Sequence, residues 1–226
     1  FFAGVGLQFQ AMAQAGSVDE VFARLEADGF FLRVDTRVTP TMCHGAIISE
    51  LELDLLRQIH DVVRLGQVRR IETDRMVLDG GSVPTHPDTL YVHCAAAGLA
   101  RPPTRPIYEA GRVTVQPVFW SFACLQFALL GVVEATIDSD EDKNRLCPPI
   151  RYWDAPVDYL RAYLAIMVNE KARAAHPAVA AWARETRLNP LSGLGQHRDD
   201  PRVVQTREII KRFGLAAGNN LATLLA

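Results

Sequence analysis

Residues 62–99 read VVRLGQVRRIETDRMVLDGGSVPTHPDTLYVHCAAAGL, and this stretch decides the predicted fold. Its short apolar runs are separated by two polar turns, Thr73-Asp74 and Asp79-Gly80-Gly81. Asp-Gly pairs between apolar runs are typical of antiparallel hairpins, because glycine adopts the positive φ angles that tight hairpin turns require. The stretch therefore predicts an antiparallel β-meander.

The end of this stretch joins a β-rich run to very small residues. Residues 90–94, LYVHC, predict an apolar strand, and residues 95–98, AAAG, follow it directly. Residues this small fill little space, so they suit close approach of the backbone to another backbone or to a ligand. We therefore expect the strand to end beside a ligand or a second segment of the chain.

The order of hairpin strands, Asp-Gly turn, apolar strand and small-small-Gly resembles one segment of the two-dinucleotide-binding flavoproteins. That family includes flavin monooxygenase-like and pyridine-nucleotide oxidoreductases, and the segment closes its nucleotide-binding domain. Its final strand carries an Ala-Thr-Gly-type motif packed near FAD. Ala96, Ala97 and Gly98 stand at this motif here, with Ala97 in place of the usual threonine. The better-matching region runs from Ser17 to about Pro149.

The resemblance implies the C-terminal portion of an FAD- and NAD(P)-dependent oxidoreductase, in which the flavin carries hydride or oxygen chemistry on a small-molecule substrate. It implies an α/β fold. Residues 1–149 would form a partial two-dinucleotide-binding, Rossmann-like region that contains the β-meander. Residues 150–226 would form a helical region packed on it.

Four residues are the candidate cofactor contacts. The resemblance implies that Ala96, Ala97 and Gly98 lie beside FAD. Arg101 follows them in a proline-rich loop, where its guanidinium group could bind a cofactor phosphate. A solvated loop arginine is the alternative interpretation of Arg101, and the sequence assigns no catalytic residue.

The sequence lacks a Gly-rich nucleotide fingerprint. Gly4-Val5-Gly6 begins like G-x-G-x-x-G, but Phe9 stands at the position of the third glycine and no strand precedes it. The sequence starts at Phe1 without a methionine, so we expect either preceding residues or a fragment. The isolated chain should then bind FAD weakly or not at all. The alternative hypothesis is a noncatalytic α/β module for partner binding or oligomerisation.

Charge and hydropathy exclude several classes of function. The formal net charge is -2 over 226 residues, with lysine and arginine dispersed, so neither nucleic acid nor an anionic membrane surface is an expected partner. The longest apolar stretch, residues 119–133, is shorter than the roughly 20 residues that a membrane-spanning helix needs. We therefore expect a soluble protein, and the pattern of unpaired cysteines favours the cytoplasm. The sequence leaves homo-oligomerisation open.

The cysteines do not predict a metal site. Cys43, Cys94, Cys124 and Cys147 are far apart, without a Cys-x-x-Cys pair or a histidine at metal-ligand spacing. We expect reduced, mostly buried thiols, with Cys94 buried among apolar neighbours. The acidic run at residues 138–142 lacks the central glycine of a calcium loop and predicts a solvated turn before a short helix.

Helix signals precede the meander. Ser17 and Ser49 each open a capping-box pattern, and the first helix should end at Gly29. On the second helix Leu51, Leu55 and Ile59 form the expected apolar stripe. The sequence also predicts strands at residues 30–35, 47–48 and 62–65, the last two of which would flank the second helix in a β-α-β unit.

After the meander, residues 112–118 predict a strand and residues 121–135 a buried helix. The N-terminus of this helix suits a flavin or pyrophosphate oxygen, and the alternative is an ordinary core helix capped by Ser121. Beyond residue 154 only helices are predicted. The last of them should span residues 201–213, with Gly214 ending it.

Overall fold

A computed structural model describes residues 2–94, 103–120 and 122–226. The described chain is mixed α/β, about half helical, with small antiparallel sheets, so the α/β prediction is confirmed at this level. The helices are, in chain order, α1 (Phe2–Gln14), α2 (Val18–Ala27), α3 (Glu50–Leu56), α4 (Ala123–Thr136), α5 (Asp140–Leu146), α6 (Pro156–Ala175), α7 (Pro177–Glu185) and α8 (Pro201–Leu224), with a 3-10 helix over Ser192–His197. The strands are β1 (Val68–Ile71), β2 (Arg75–Leu78), β3 (Gly81–Pro84), β4 (Tyr108–Glu109) and β5 (Arg112–Val113).

The chain divides into two compact units, one formed by Phe1–Ile48 with Pro102–Ala226 and the other by Ser49–Arg101. The described residues from Ile150 onward form helices only, as the sequence predicts. The predicted domain division after residue 149 stays a prediction. Within the described ranges, no helix combines the length and the apolar character needed to cross a membrane.

The Ser49–Arg101 unit contains the predicted meander. Strands β1, β2 and β3 pair in that order, all antiparallel, and the turns fall at the predicted Asp74 and Asp79-Gly80 positions. The Ser49 capping box is also formed, since its Oγ accepts from the Glu52 backbone N–H and the Glu52 carboxylate accepts from the Ser49 N–H. Hairpin chemistry and capping are local, which is why the sequence alone identifies them.

The apolar stripe predicted for α3 is wrong. Leu51 and Leu55 are exposed, whereas Leu53 is buried. The helix ends at Leu56, so Ile59 lies beyond it and is exposed as well. A helix of two turns is too short for the 3.6-residue period to identify its buried face reliably.

The strands predicted at residues 30–35, 47–48 and 62–65 do not form, so the described ranges hold no β-α-β unit. Phe30 and Phe31 illustrate the reason. Their backbone N–H groups donate to the Leu25 carbonyl at the end of α2, at 2.8 and 3.2 Å. Their rings pack with each other, and Phe31 also packs with Phe22 and Tyr159. The apolar pattern there reflects core packing at a helix end rather than strand pairing.

Helices α1 and α8 pack closely in the larger unit. A Cβ built on Gly6 of α1 would lie 3.2 Å from Thr206 Cγ2 of α8, so glycine permits this approach. The Asn220 amide of α8 donates to the carbonyls of Met12 and Ala15, at 2.8 and 2.7 Å. Two carbonyl groups at the C-terminal end of α1 thereby gain hydrogen-bond partners. The core around this pair includes Met12, Val21, Leu25, Leu160 and Leu221, all fully buried.

The predicted end of the last helix at Gly214 is wrong, because α8 continues to Leu224. Gly214 does not have a positive φ, so it is part of the helix rather than its left-handed terminator. A glycine inside a helix costs about 1 kcal/mol relative to alanine. Burial of Ala217 and Leu221 in the core offsets that cost, and this long-range term is not visible in the local sequence.

A second core lies around α4, α5 and α7. It includes Ile107, Val118, Leu130, Val133 and Val179. The buried Tyr108 hydroxyl donates to the Leu130 carbonyl at 2.8 Å, and burial raises the pKa of this phenol well above its usual range.

Helix α4 agrees with its predicted range but is buried on one side only. Phe127 and Cys124 are exposed, so the expectation of a helix buried all round is wrong. The predicted strand at residues 112–118 shortens to β5. Ser121, the predicted cap of this helix, lies outside the described residues.

All four cysteines are free thiols. Cys147 is buried and Cys43 half-buried, but Cys94 and Cys124 are exposed. The predicted burial of Cys94 is therefore wrong. Residues 90–94 do not form a strand, and Leu90 and Val92 in the same segment are exposed too. Within the described ranges, no group of three His, Cys, Asp or Glu side chains could hold a metal ion.

Candidate functional site

The predicted cofactor contacts Ala96, Ala97, Gly98 and Arg101 lie outside the described residues, so their roles stay predictions. The loop that follows them is described from Pro103 onward. Its backbone at Arg105 is fixed by the buried Gln116 side chain. The Arg105 N–H donates to Gln116 Oε1 at 3.0 Å, and Gln116 Nε2 donates to the Arg105 carbonyl at 2.7 Å. These two hydrogen bonds anchor the loop through the backbone of Arg105. The exposed Arg105 side chain takes no part in them.

Cys43 and His44 are adjacent in sequence but bind different atoms of one residue. The Cys43 N–H donates to the Asp154 carbonyl at 2.6 Å, and His44 Nε2 lies 2.6 Å from Asp154 Oδ1. Burial raises the pKa of the Cys43 thiol, which disfavours the thiolate. The histidine is therefore paired with a carboxylate, and the geometry does not describe a thiolate nucleophile with its base.

A cleft in the larger unit is a candidate site within the described residues. It has a volume of about 470 Å³, which lies within the range of small-molecule sites in proteins. Side chains of α4, α6 and α7 line it, together with the segment after α7. Its larger apolar side chains are Phe119, Leu125, Leu129, Val179, Trp182 and Leu191. Its polar side chains are Gln126, Glu170, Arg173, Arg184, Asn189 and Ser192.

Arg173 of α6 holds the elements around the cleft together. Only 4% of this residue is exposed. Its Nε donates to the Leu146 carbonyl and its Nη2 to the Val118 carbonyl, both at 2.9 Å. Its Nη1 lies 2.6 Å from the Glu170 carboxylate. Since a buried guanidinium needs such partners to offset its lost hydration, Arg173 has a structural role and its charge is already balanced by Glu170.

Gln126 contributes a fixed hydrogen-bond donor to the cleft wall. The residue is only 6% exposed, and its Oε1 accepts from the backbone N–H groups of Val118 and Phe119, at 3.1 and 3.4 Å. These two donors fix the amide orientation, because only the carbonyl oxygen can accept. Nε2 has no acceptor among the described residues. Among the described residues, the Gln126 N–H₂ group is therefore an unused donor in a side chain that lines the cleft.

Asn189 fixes the rim of the cleft beyond α7. Its Nδ2 donates to the Ala183 carbonyl at 2.7 Å, and its Oδ1 accepts from the Leu191 N–H at 3.0 Å. The Ser192 hydroxyl donates to the Asn189 carbonyl at 2.8 Å. These bonds hold the chain where it leaves the helix, so Leu191 keeps its place in the cleft wall.

The charged residues of the cleft carry an excess of one positive charge. Arg173 and Glu170 form a pair, whereas Arg184 has no acidic partner among the described residues and is exposed. The described lining contains no histidine, cysteine or lysine. The arrangement is therefore suited to binding an apolar molecule that also carries an acceptor or an anionic group.

Sequence reasoning did not find this cleft. The sequence predicts α4 only as an ordinary buried helix or as a flavin contact. The available signals were Gln126 inside an apolar run and Arg173 on the inner side of α6. Polar residues at core positions need partners or a function, but the carbonyl partners of Arg173 lie 27 and 55 residues away in the chain.

No protein-family model and no solved structure matches the chain. The chain is similar to uncharacterized proteins from Mycobacterium bovis and from two strains of Mycobacterium tuberculosis. Identity to each is 38% over 223 residues, which covers 97% of this chain and 41% of the relative. The chain thus spans about two fifths of the length of the curated relatives it matches.

Proposed function

We propose that this chain is part of an FAD- and NAD(P)-dependent oxidoreductase of the two-dinucleotide-binding type. The flavin would carry redox chemistry on a small-molecule substrate, and the protein would position the reactants. The observation that carries the proposal is the meander β1-β2-β3 with its Asp79-Gly80 turn, followed by the small residues Ala96, Ala97 and Gly98. The order of these features is the one that resembles the flavoprotein family.

Hydrogen bonds and a close glycine contact fix the turn geometry of the meander on which this proposal rests. The Asp79 carboxylate accepts from the Gln67 N–H at 2.8 Å and pairs with Arg69. The Gln67 hydrogen bond is the main reason that the pKa of Asp79 is lowered. Gly66 has a φ of +83°, and a Cβ there would lie 2.8 Å from Asp79 Cβ. These contacts hold the backbone before β1 against the turn after β2, and so fix where the meander begins.

The length of the relatives is compatible with a nucleotide site elsewhere in the protein. Since 41% of each relative is matched, the remainder is long enough for the Gly-rich fingerprint that this chain lacks. We propose that the longer protein completes a Rossmann-like fold around FAD and acts in the cytoplasm without nucleic-acid partners. Residues 96–98 and Arg101 would then contact the cofactor from this chain.

A second candidate is a noncatalytic module for partner binding or oligomerisation. It is favoured by exposed apolar side chains in the Ser49–Arg101 unit, among them Leu51, Ile59, Leu90 and Val92. Apolar side chains left exposed in number are often covered by a partner. In the flavoprotein proposal, the remainder of the longer protein covers them instead.

The proposal is tested by measuring FAD in two proteins. One is the 226-residue chain, and the other is a version extended to the length of its relatives. We expect about one FAD per chain in the extended protein and weak or no binding by the 226-residue chain when FAD is titrated and flavin fluorescence is followed. An extended protein without flavin would overturn the proposal and favour the second candidate. Stoichiometric binding by the 226-residue chain would instead place the nucleotide site within these residues.

A substitution at Gly98 tests the residues assigned to the cofactor. In the extended protein, Gly98→Val should lower the FAD content, because a β-branched side chain would stand where the backbone approaches the flavin. Overpacking of this kind costs about 1 to 3 kcal/mol. Ala97→Thr is the matched control, since it restores the residue usual in the family and should keep FAD. Equal FAD content in the two variants would remove Gly98 from the site.

A further inference from the structure

We propose that the cleft between α4, α6 and α7 binds an apolar small-molecule carboxylate, such as an arylalkanoate. The proposal concerns a site separate from the predicted cofactor contacts and does not rest on flavin chemistry. It follows from three properties of the cleft, which are its volume, its fixed donor and its unbalanced charge.

The volume and the lining residues of the cleft fit a ligand with a small apolar part. A space of about 470 Å³ suits a small organic molecule, and sites of that kind are mostly apolar with a few placed polar groups. The walls here include Leu125, Leu129, Val179 and the Trp182 ring. Burying a ring or a branched chain against such side chains gains about 25 cal/mol for each Å² of apolar surface removed from water.

The free donor selects an acceptor on that ligand. Gln126 is buried and held by two backbone N–H groups, so its Nε2 needs no rearrangement to donate. A preorganised donor binds an oxygen acceptor without the entropy cost of ordering a side chain. A carboxylate oxygen is the stronger acceptor, because hydrogen bonds to ionised groups exceed those between neutral groups.

The charge balance selects an anion with one charge. Glu170 is committed to Arg173, which leaves Arg184 as the uncompensated charge in the described lining. A divalent cation does not fit, since Glu170 is the only carboxylate in the described lining. A polyphosphate does not fit either, because the described lining offers one available guanidinium and no lysine. A monocarboxylate matches both the single charge and the apolar walls.

The test follows Trp182 directly. The protein has three tryptophans, and Trp182 is the one that lines the cleft. Trp120 and Trp153 pack in the core around α1 and α8. With 5-fluorotryptophan incorporated, ¹⁹F NMR resolves the three side chains, and Trp182→Phe assigns the resonance. We expect 4-phenylbutyrate to shift the Trp182 resonance in a saturable way and to leave Trp120 and Trp153 unchanged. No saturable shift of Trp182 at millimolar probe would overturn the proposal.

Charge recognition is tested with matched ligands and variants. The neutral 4-phenylbutyramide has the same shape and should bind more weakly than the carboxylate. Arg184→Gln should weaken binding of 4-phenylbutyrate about 1.5-fold to fivefold, as expected for an exposed ion pair, and leave binding of the amide unchanged. Arg187→Gln is the control, because this exposed arginine is close in sequence but does not line the cleft. Equal effects of the two variants would contradict the assignment of Arg184.

The apolar part is tested by filling the cleft. Ala183 lines it and is half-buried, so Ala183→Leu should abolish binding of both the carboxylate and the amide. Unchanged Trp120 and Trp153 resonances show in the same spectrum that the variant is folded. Retained binding by a folded Ala183→Leu variant would show that the probe binds elsewhere and would overturn the proposal.

Discussion

Replacing Leu221 by alanine tests the packing of α8 on α1. Leu221 is 0% exposed and belongs to the same apolar core as Met12 and Leu160. The change removes three carbons, and at about 0.8 kcal/mol for each buried methylene the lost transfer free energy is about 2.4 kcal/mol. The remaining cavity adds to this, and measured Leu→Ala changes in cores span about 2 to 5 kcal/mol. We expect a loss of about 3 kcal/mol in the free energy of unfolding.

Leu215→Ala is the matched control for this measurement. Leu215 lies on the same helix and is 80% exposed, so its replacement changes helix propensity equally without opening a cavity. Its effect should stay within about 0.5 kcal/mol. Urea unfolding followed by tryptophan fluorescence reports on both variants, because Trp120 and Trp153 pack in the core that contains Leu221. Similar effects of the two substitutions would refute the packing of α8 beyond Gly214.

Two further predictions concern thiols and acid stability. In the folded protein a thiol reagent should label Cys94 and Cys124 rapidly, since both are exposed, and Cys147 only on unfolding, since burial raises the pKa of its thiol. Mass spectrometry of the labelled peptides measures the rate at each cysteine. Rapid labelling of Cys147 in the folded protein would contradict its burial. Asp200 accepts the Arg202 N–H at the start of α8, and the Arg202 side chain is the main cause that lowers the pKa of Asp200 to about 2. Because the folded pKa lies below the unfolded one, this stabilisation is present above about pH 4 and is lost as the pH falls towards about 2. The urea concentration at the midpoint of unfolding should therefore be higher for the wild type than for Asp200→Asn at pH 6, and the two midpoints should converge near pH 2. A difference that does not change with pH would contradict the assignment.

Local signals in the sequence predict local structure well. The capping box at Ser49 and the Asp79-Gly80 turn are formed as expected, because each depends on residues within a few positions. Ser17 also caps its helix, but its box is incomplete, since the Glu20 carboxylate accepts from the Gly16 N–H. In the structure, Pro156 and Pro177 stand at the starts of α6 and α7, where proline is favoured because its missing N–H has no helical partner to lose.

Long-range packing explains most of the errors. Phe30 and Phe31 suggest a strand, but their rings join an aromatic cluster with Tyr159, which lies more than 120 residues away. Gly214 suggests a helix end, but burial of Leu221 against α1 outweighs its cost. The cleft was not predictable for the same reason, since Gln126 and its neighbours acquire their roles only when α4, α6 and α7 meet.

Reduction of a bound flavin by a nicotinamide cofactor tests the proposed function most directly. The measurement is the visible absorbance spectrum of the protein extended to the length of its relatives, recorded without oxygen before and after addition of NADH or NADPH. The proposal predicts a flavin spectrum that bleaches with at least one of the two cofactors, because hydride transfer converts the oxidised flavin to its reduced form. A protein that has no flavin absorbance, or whose flavin is not bleached by either cofactor, would contradict the assignment as an FAD- and NAD(P)-dependent oxidoreductase.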